Sequence, residues 1–143
     1  VKPHLLDVNV LIALAWPVHV HHATVTDWFI KKGCKSWATC PLTQCGFIRI
    51  SSNPAIIKDA VRPEHALDIL RKMTSGSTHR FWADELSIAN PNFSFSRLLT
   101  GHRQVSDAYL LSLAIHHRGI LATLDRGILG LDGGAGHVEL IGT

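Results

Sequence analysis

The chain lacks the features that mark several large protein classes. No apolar run reaches the roughly 18 to 20 residues of a membrane span, because Asp7, Asn9 and Pro17 interrupt the greasiest stretch. There is no basic leader followed by an apolar signal core and a small-residue cleavage site, so the expectation is a cytoplasmic protein with no membrane association. Cysteine is scarce: Cys34, Cys40 and Cys45 form an odd set with no C-x-x-C pair. That argues for reduced thiols, and against both a disulfide framework and a structural zinc site. Internal repeats, low-complexity tracts and domain-separating linkers are also missing. The 143 residues, 46% of them hydrophobic, suit a single domain over residues 1–143 with a core of ordinary size. Charge of neither sign dominates, since 14 Lys and Arg face 11 Asp and Glu for a formal net charge of +3 and a pI near 9.0. Such a margin suits a polyanion or an acidic partner without specifying one.

What is present is an alternation of short apolar strands and amphipathic helices. Strands are expected at residues 4–7, 36–40, 79–82, 119–125 and 137–141, and helices at 10–16, 22–32, 42–50 and 62–73. The clearest helix lies in VSDAYLLSLAIHHRG, where Ser106 suits the N-cap, Leu110, Leu111, Ala114 and Ile115 recur at helical spacing, and Gly119 suits the stop. Residues 87–104 read as an irregular segment carrying two phenylalanines and Arg97, His102 and Arg103. Alternating strands and helices imply an α/β fold with a parallel sheet covered on both faces.

In such a sheet ligands bind outside the carboxyl ends of the strands. Asp7 and Asp125 each directly follow an apolar strand, in LLD and ATLD, and Asp107 falls in the first turn of the long helix, where unpaired backbone N–H groups favour a carboxylate. Each acid alone reads as a helix cap. Three in the same relation to one sheet read as a shared site at one rim. Carboxylates about 5 Å apart at an effective dielectric near 20 repel by roughly 3 kcal/mol per pair, and a divalent cation removes that penalty. An all-oxygen set selects Mg²⁺ or Mn²⁺, ions suited to phosphoryl chemistry.

Taken together and in order, LLDVNVLIAL, PLTQCGFIRISSNP, HRQVSDAYLLSLA and GILATLDRGI resemble a PIN-domain ribonuclease of the VapC toxin type, over nearly the whole chain. The resemblance implies a three-layer α/β/α sandwich with a central parallel sheet and a Mg²⁺- or Mn²⁺-dependent endoribonuclease. It also implies an RNA substrate, a cognate VapB-type antitoxin and a homodimer. Carried over residue by residue, the family's acids fall on Asp7, Asp107 and Asp125 as catalytic and metal-holding groups, with Asn9 and Ser106 as the small polar residues that support them. The chain departs from the pattern at Gln44, where the family more often has Glu after the Thr of P-L-T-Q. One negative charge is lost there, so weaker metal affinity is expected.

Other residues carry less specific signals. Arg49, Arg97 and Arg103 are candidate phosphate contacts, with ordinary solvated charges as the alternative. The histidines of HVHH, His19, His21 and His22, are expected at the surface or in a helix cap, and Trp16, Trp28, Trp37 and Trp82 in the core or an interface. Asp84 and Glu85 are expected at a sheet edge with little chemistry, a substitute acid that offsets Gln44 being the alternative. Two rival functions stand beside the nuclease. An aspartyl phosphatase would want a second Asp where Asn9 stands, and the chain fails that test. A degenerate PIN module that binds RNA or antitoxin with little or no cleavage is the alternative that Gln44 favours.

Overall fold

A computed structural model describes residues 1–90, 101–132 and 135–142. Five strands, β1 (His4–Leu6), β2 (Trp37–Thr39), β3 (His79–Phe81), β4 (Ile120–Thr123) and β5 (Val138–Leu140), form one sheet in the order β3-β2-β1-β4-β5. Every neighbouring pair is parallel. Side chains alternate across the strands, and the core splits accordingly. Leu6 and Ala122 pack with Val10, Leu11, Val25, Phe47 and Leu70 on one face. Leu5 and Leu121 pack with Leu110, Leu111, Leu113, Ala114 and Ile128 on the other. The first face is covered by α1 (Val8–Ala15), α2 (His22–Lys31), α3 (Pro41–Ser51) and α4 (Pro63–Met73), the second by α5 (Val105–His116) and α6 (Arg126–Asp132). The result is the expected three-layer α/β/α sandwich.

Strand order reverses between β1 and β4. The chain steps outward from β1 to β2 and β3, then returns to the other side of β1 for β4 and β5. A crevice therefore opens at the carboxyl ends of β1 and β4. Close packing holds the helices around it: a Cβ placed on Gly46 of α3 would come 2.7 Å from Cγ2 of Val8, the first residue of α1. On the edge strand, Glu139 of β5 accepts from Trp28 Nε1 at 2.6 Å and pairs with Lys32 at 2.8 Å, fastening β5 to α2.

The structure departs from the sequence reading at helix ends. β1 stops at Leu6 and α1 starts at Val8, because the Asp7 carboxylate accepts the Val8 N–H at 2.8 Å and caps the helix. Ser106 is not an N-cap. A 3-10 turn, His102–Gln104, runs straight into α5, so Ser106 is already helical in the first turn rather than extended, as a cap must be. Helix α6 was not expected, since Gly127 and Gly130 obscure its pattern and only Ile128 of its residues is buried. Gly119 does not supply the left-handed stop of α5. That conformation falls on Arg118, with φ of 56°, while Arg118 N–H bonds Ile115 C=O at 3.0 Å and Gly119 N–H bonds Ala114 C=O at 2.8 Å. This is a Schellman ending with an L side chain at its strained position. Gly119 is required for space instead, since a Cβ there would meet the Pro3 carbonyl oxygen at 2.6 Å. Arg118→Gly is accordingly expected to stabilise the chain by about 1 kcal/mol, read as a higher midpoint in urea with an unchanged slope.

Candidate active site

The three acids come together in the crevice. Asp7 follows β1, Asp125 follows β4, and Asp107 occupies the first turn of α5. They are close enough for their charges to act on one another: Asp7 and Asp125 both push the Asp107 carboxyl upward. Burial contributes most to that shift, and together these causes raise Asp107 to about 6. Asp107 sits where a helix N-terminus should favour its charge, but the loss of water and the two neighbouring carboxylates outweigh that benefit. Asp7 is also raised, again mainly by burial, with Asp125 adding to the shift and hydrogen bonds from Thr123 and Val8 opposing it.

Thr123, fully buried at the end of β4, ties two of the acids together. Its hydroxyl donates to Asp7 Oδ2 at 2.8 Å and its Oγ1 accepts the Asp125 N–H at 3.0 Å. Asp125 Oδ1 in turn accepts the Gly127 N–H at 2.8 Å at the start of α6. Asp7 and Asp125 thus do serve as helix caps, and they meet at the rim as well. Sequence reading missed Thr123. Its only signal was its place two residues before Asp125 on the same strand.

The other candidates are distributed unevenly. Asn9 is exposed on α1 and makes no hydrogen bond to an acid among the described residues; it lines a groove of about 400 Å³ with His19, His21 and Asp125. A second groove, about 420 Å³, lies on the Asp107 side, bounded by Ser106, Tyr109, Asp84 and Ile88. Ser106 is exposed at its edge. Gln44 makes no hydrogen bond to any of the three acids among the described residues. Its Nε2 donates to Thr39 Oγ1 at 3.0 Å, and Thr39 Oγ1 lies 2.7 Å from His79 Nε2. Burial first, then Arg80, lowers the His79 pKa, and a bond to the Thr74 carbonyl opposes them. A neutral His79 with Nε2 free to accept completes a chain from Gln44 through Thr39 to Thr74. Arg49 is exposed in the last turn of α3, and Arg103 is exposed in the turn before α5. Arg97 lies outside the described residues.

The HVHH histidines are closer to the site than expected. His22 Nδ1 is 2.7 Å from the Ala13 carbonyl and His19 Nδ1 accepts the His21 N–H, so both hold local structure. Yet His19 and His21 also wall the groove that contains Asp125, and exposed Arg126 sits beside His21. The four tryptophans fit the expectation: Trp37 and Trp82 are buried, while Trp16 and Trp28 are partly buried and hydrogen-bonded to Ser51 and Glu139. Asp84 accepts from Tyr109 Oη at 2.9 Å, and Glu85 pairs with His117.

A divalent ion fits the acidic site on its donor chemistry. Three carboxylates converge, two of them carry raised pKa values, and no Lys or Arg among the described residues forms an ion pair with any of the three. Uncompensated charge on hard oxygen donors suits Mg²⁺ or Mn²⁺. No helix among the described residues is long and apolar enough to cross a membrane.

Comparison with known proteins identifies the family. The PIN domain family matches residues 4–133, a span that contains all three acids. Ribonuclease VapC38 of Mycobacterium tuberculosis is 44% identical over 128 residues, covering 89% of this chain and 88% of that protein. Ribonuclease VapC39 of the same organism is 40% identical over 137 residues, covering 96% and 98%, and Ribonuclease VapC29 is 41% identical over 129 residues, covering 90% of each. With its parallel sheet, a family match over residues 4–133 and relatives aligned over most of their length, this chain belongs to the PIN-domain family of VapC ribonucleases.

Proposed function

We propose that the chain is a toxin endoribonuclease that hydrolyses RNA phosphodiester bonds with Mg²⁺ or Mn²⁺ held by Asp7, Asp107 and Asp125. The observation that carries this reading is the convergence of three mutually repelling carboxylates where strand order reverses. A bound ion supplies Lewis acidity toward the phosphodiester and toward the attacking water. The protein's own part is positional. Thr123 and the Val8 N–H fix both oxygens of Asp7, the Gly127 N–H fixes one oxygen of Asp125, and Asp107 completes the set as a half-buried acid whose proton leaves as pH rises through about 6. The grooves on either side give RNA a path across the rim. His19, His21 and Arg126 line one side, and Arg103 stands exposed before α5, in reach of a backbone that carries one charge per nucleotide.

The degenerate, non-cleaving reading is not favoured. The relatives named above are ribonucleases at about 40% identity over nearly their full lengths. The proposal extends to a homodimer in the cytoplasm, silenced by a VapB-type antitoxin that offers cationic side chains to the acidic rim.

Labelled structured RNA incubated with Mn²⁺, with and without EDTA, tests the activity. Cleavage that requires the metal supports the reading, and RNA that stays intact under both conditions refutes it. Thr123→Val supplies a graded control. It keeps the shape of the side chain but leaves Asp7 Oδ2 without its donor, so metal affinity should fall by about 10-fold or more. Calorimetric titration with Mn²⁺ reads that loss directly, and an unchanged affinity would remove Thr123 from the account.

A further inference from the structure

We propose that Glu85, His116 and His117 form a second metal site, distinct from the acidic rim, which takes a borderline transition ion of the Zn²⁺ type. The histidines stand at the carboxyl end of α5, and Asp107 stands at its start. Nine helical steps lead from Asp107 to His116, about 13.5 Å at the usual rise. The site is therefore outside the reach of the three acids.

One ligand atom from each of the three residues lies within 4.8 Å of the others. His117 Nε2 is 2.7 Å from Glu85 Oε1, and His116 Nε2 is 3.6 Å from the same oxygen. Adjacent residues on a helix ordinarily point apart, but here the helix is ending. His117 is the C-cap and Arg118 turns left-handed after it, and the two rings come to 5.1 Å at an interplanar angle of 89°. Trp82 stacks under His117 with centroids 4.1 Å apart and planes 10° from parallel, which fixes the ring and aims Nε2 at Glu85.

The close approach is an ion pair only when the ring is protonated. His117 Nε2 is buried and has no hydrogen-bond partner, despite the carboxylate oxygen 2.7 Å away. A divalent cation would bridge the ring nitrogen and the carboxylate that face each other there. Tetrahedral zinc holds its nitrogen and oxygen ligands roughly 3.3 Å apart. Glu85 and His116 are both about half exposed, so the three groups, now within 4.8 Å of one another, can reach that spacing by side-chain rotation. Two imidazoles and one carboxylate leave a fourth position for solvent, a set that suits Zn²⁺, Ni²⁺ or Cu²⁺ rather than Mg²⁺. The ion would clip the segment after β3, already held at Asp84 by Tyr109, to the far end of the helix that carries Asp107.

The test uses the full chain without a histidine tag, in excess Mg²⁺ to occupy the acidic rim. Zn²⁺ is titrated by calorimetry, and Co²⁺ serves as a probe whose visible absorption reports a tetrahedral site with nitrogen ligands. The expected result is one Zn²⁺ per chain, displacing Co²⁺ and raising the melting temperature. Glu85→Gln and His116→Ala alter half-exposed side chains, and each should weaken Zn²⁺ binding about 10-fold or more, while Asp107→Asn leaves it within about twofold. The proposal is overturned by an absence of Zn²⁺ binding in excess Mg²⁺. It is equally overturned if binding is lost in Asp107→Asn and kept in His116→Ala, because the ion would then belong to the rim.

Discussion

Asp107→Asn lowers RNA cleavage by an expected 10²–10³-fold, on the order of what losing one group aimed at the reacting charge costs, and at pH 7 it makes the metal-free chain more stable. The two effects share one cause. Asp107 is half-buried, faces the charges of Asp7 and Asp125, and has no hydrogen bond or ion pair among the described residues to offset them. An amide of the same shape removes the repulsion and the ligand together. Asp7 is a poorer place for this experiment, because both its oxygens accept hydrogen bonds and an amide N–H₂ would face a donor. The pH dependence has a definite sign. The Asp107 carboxyl keeps its proton up to about pH 6 in the folded chain, against 3.8 for the unperturbed group. Between those values the folded state binds more protons than the unfolded one, so metal-free stability falls as pH rises through the window. Asp107→Asn should flatten that slope. Divalent ions should restore wild-type stability above pH 6, where the carboxylate is free to bind them, and bind progressively less well below it. Melting curves from pH 4 to 8, with EDTA and with Mg²⁺, check each element. A variant that melts lower than wild type at pH 7 in EDTA would show that repulsion at the rim is not what Asp107 suffers.

The parts of this site that were legible in sequence are those written as periodicity. LLD and ATLD each place an acid after an apolar strand, and the alternation of strands and helices places both strand ends on one edge. Asp107 could be assigned to a helix start because Leu110, Leu111 and Ala114 repeat so regularly behind it. Contacts between residues distant in sequence left no such mark. Thr123 bonds Asp7 across 116 positions, and a threonine in a strand is unremarkable until the partner strand is known. Helix α6 was obscured by its glycines. Ser106 lost its capping role to a 3-10 turn that local propensity could not reveal. Glu85 and the two histidines come together only in space. The acid follows β3, the histidines end α5, and the stacking of Trp82 on His117 aligns them.

Gln44→Glu is expected to tighten Mn²⁺ binding and raise cleavage, each by about 10-fold. Residue 44 sits on α3, which packs through Gly46 against Val8, the residue next to Asp7, and its side chain meets Thr39 at the carboxyl end of β2, the strand beside β1. A carboxylate there adds a negative charge beside the crevice. The gain is limited by what the amide does at present. Gln44 donates to Thr39, which leaves the Thr39 hydroxyl to serve His79 Nε2. A glutamate cannot donate, so the Thr39 hydroxyl must turn toward one of its oxygens and abandon His79, while the other oxygen is free to face the rim. Losing that buried bond costs about 1 kcal/mol, and in the metal-free chain the added charge costs more. The substitution should therefore lower the melting temperature in EDTA and recover or exceed the wild-type value in Mn²⁺. Paired titrations of wild type and Gln44→Glu, read by calorimetry and by RNA cleavage, decide the matter. If the EDTA melting point falls while metal affinity and rate stay where they were, both oxygens have remained on the Thr39 side, and position 44 belongs to the packing of β2 and β3 rather than to the nuclease site.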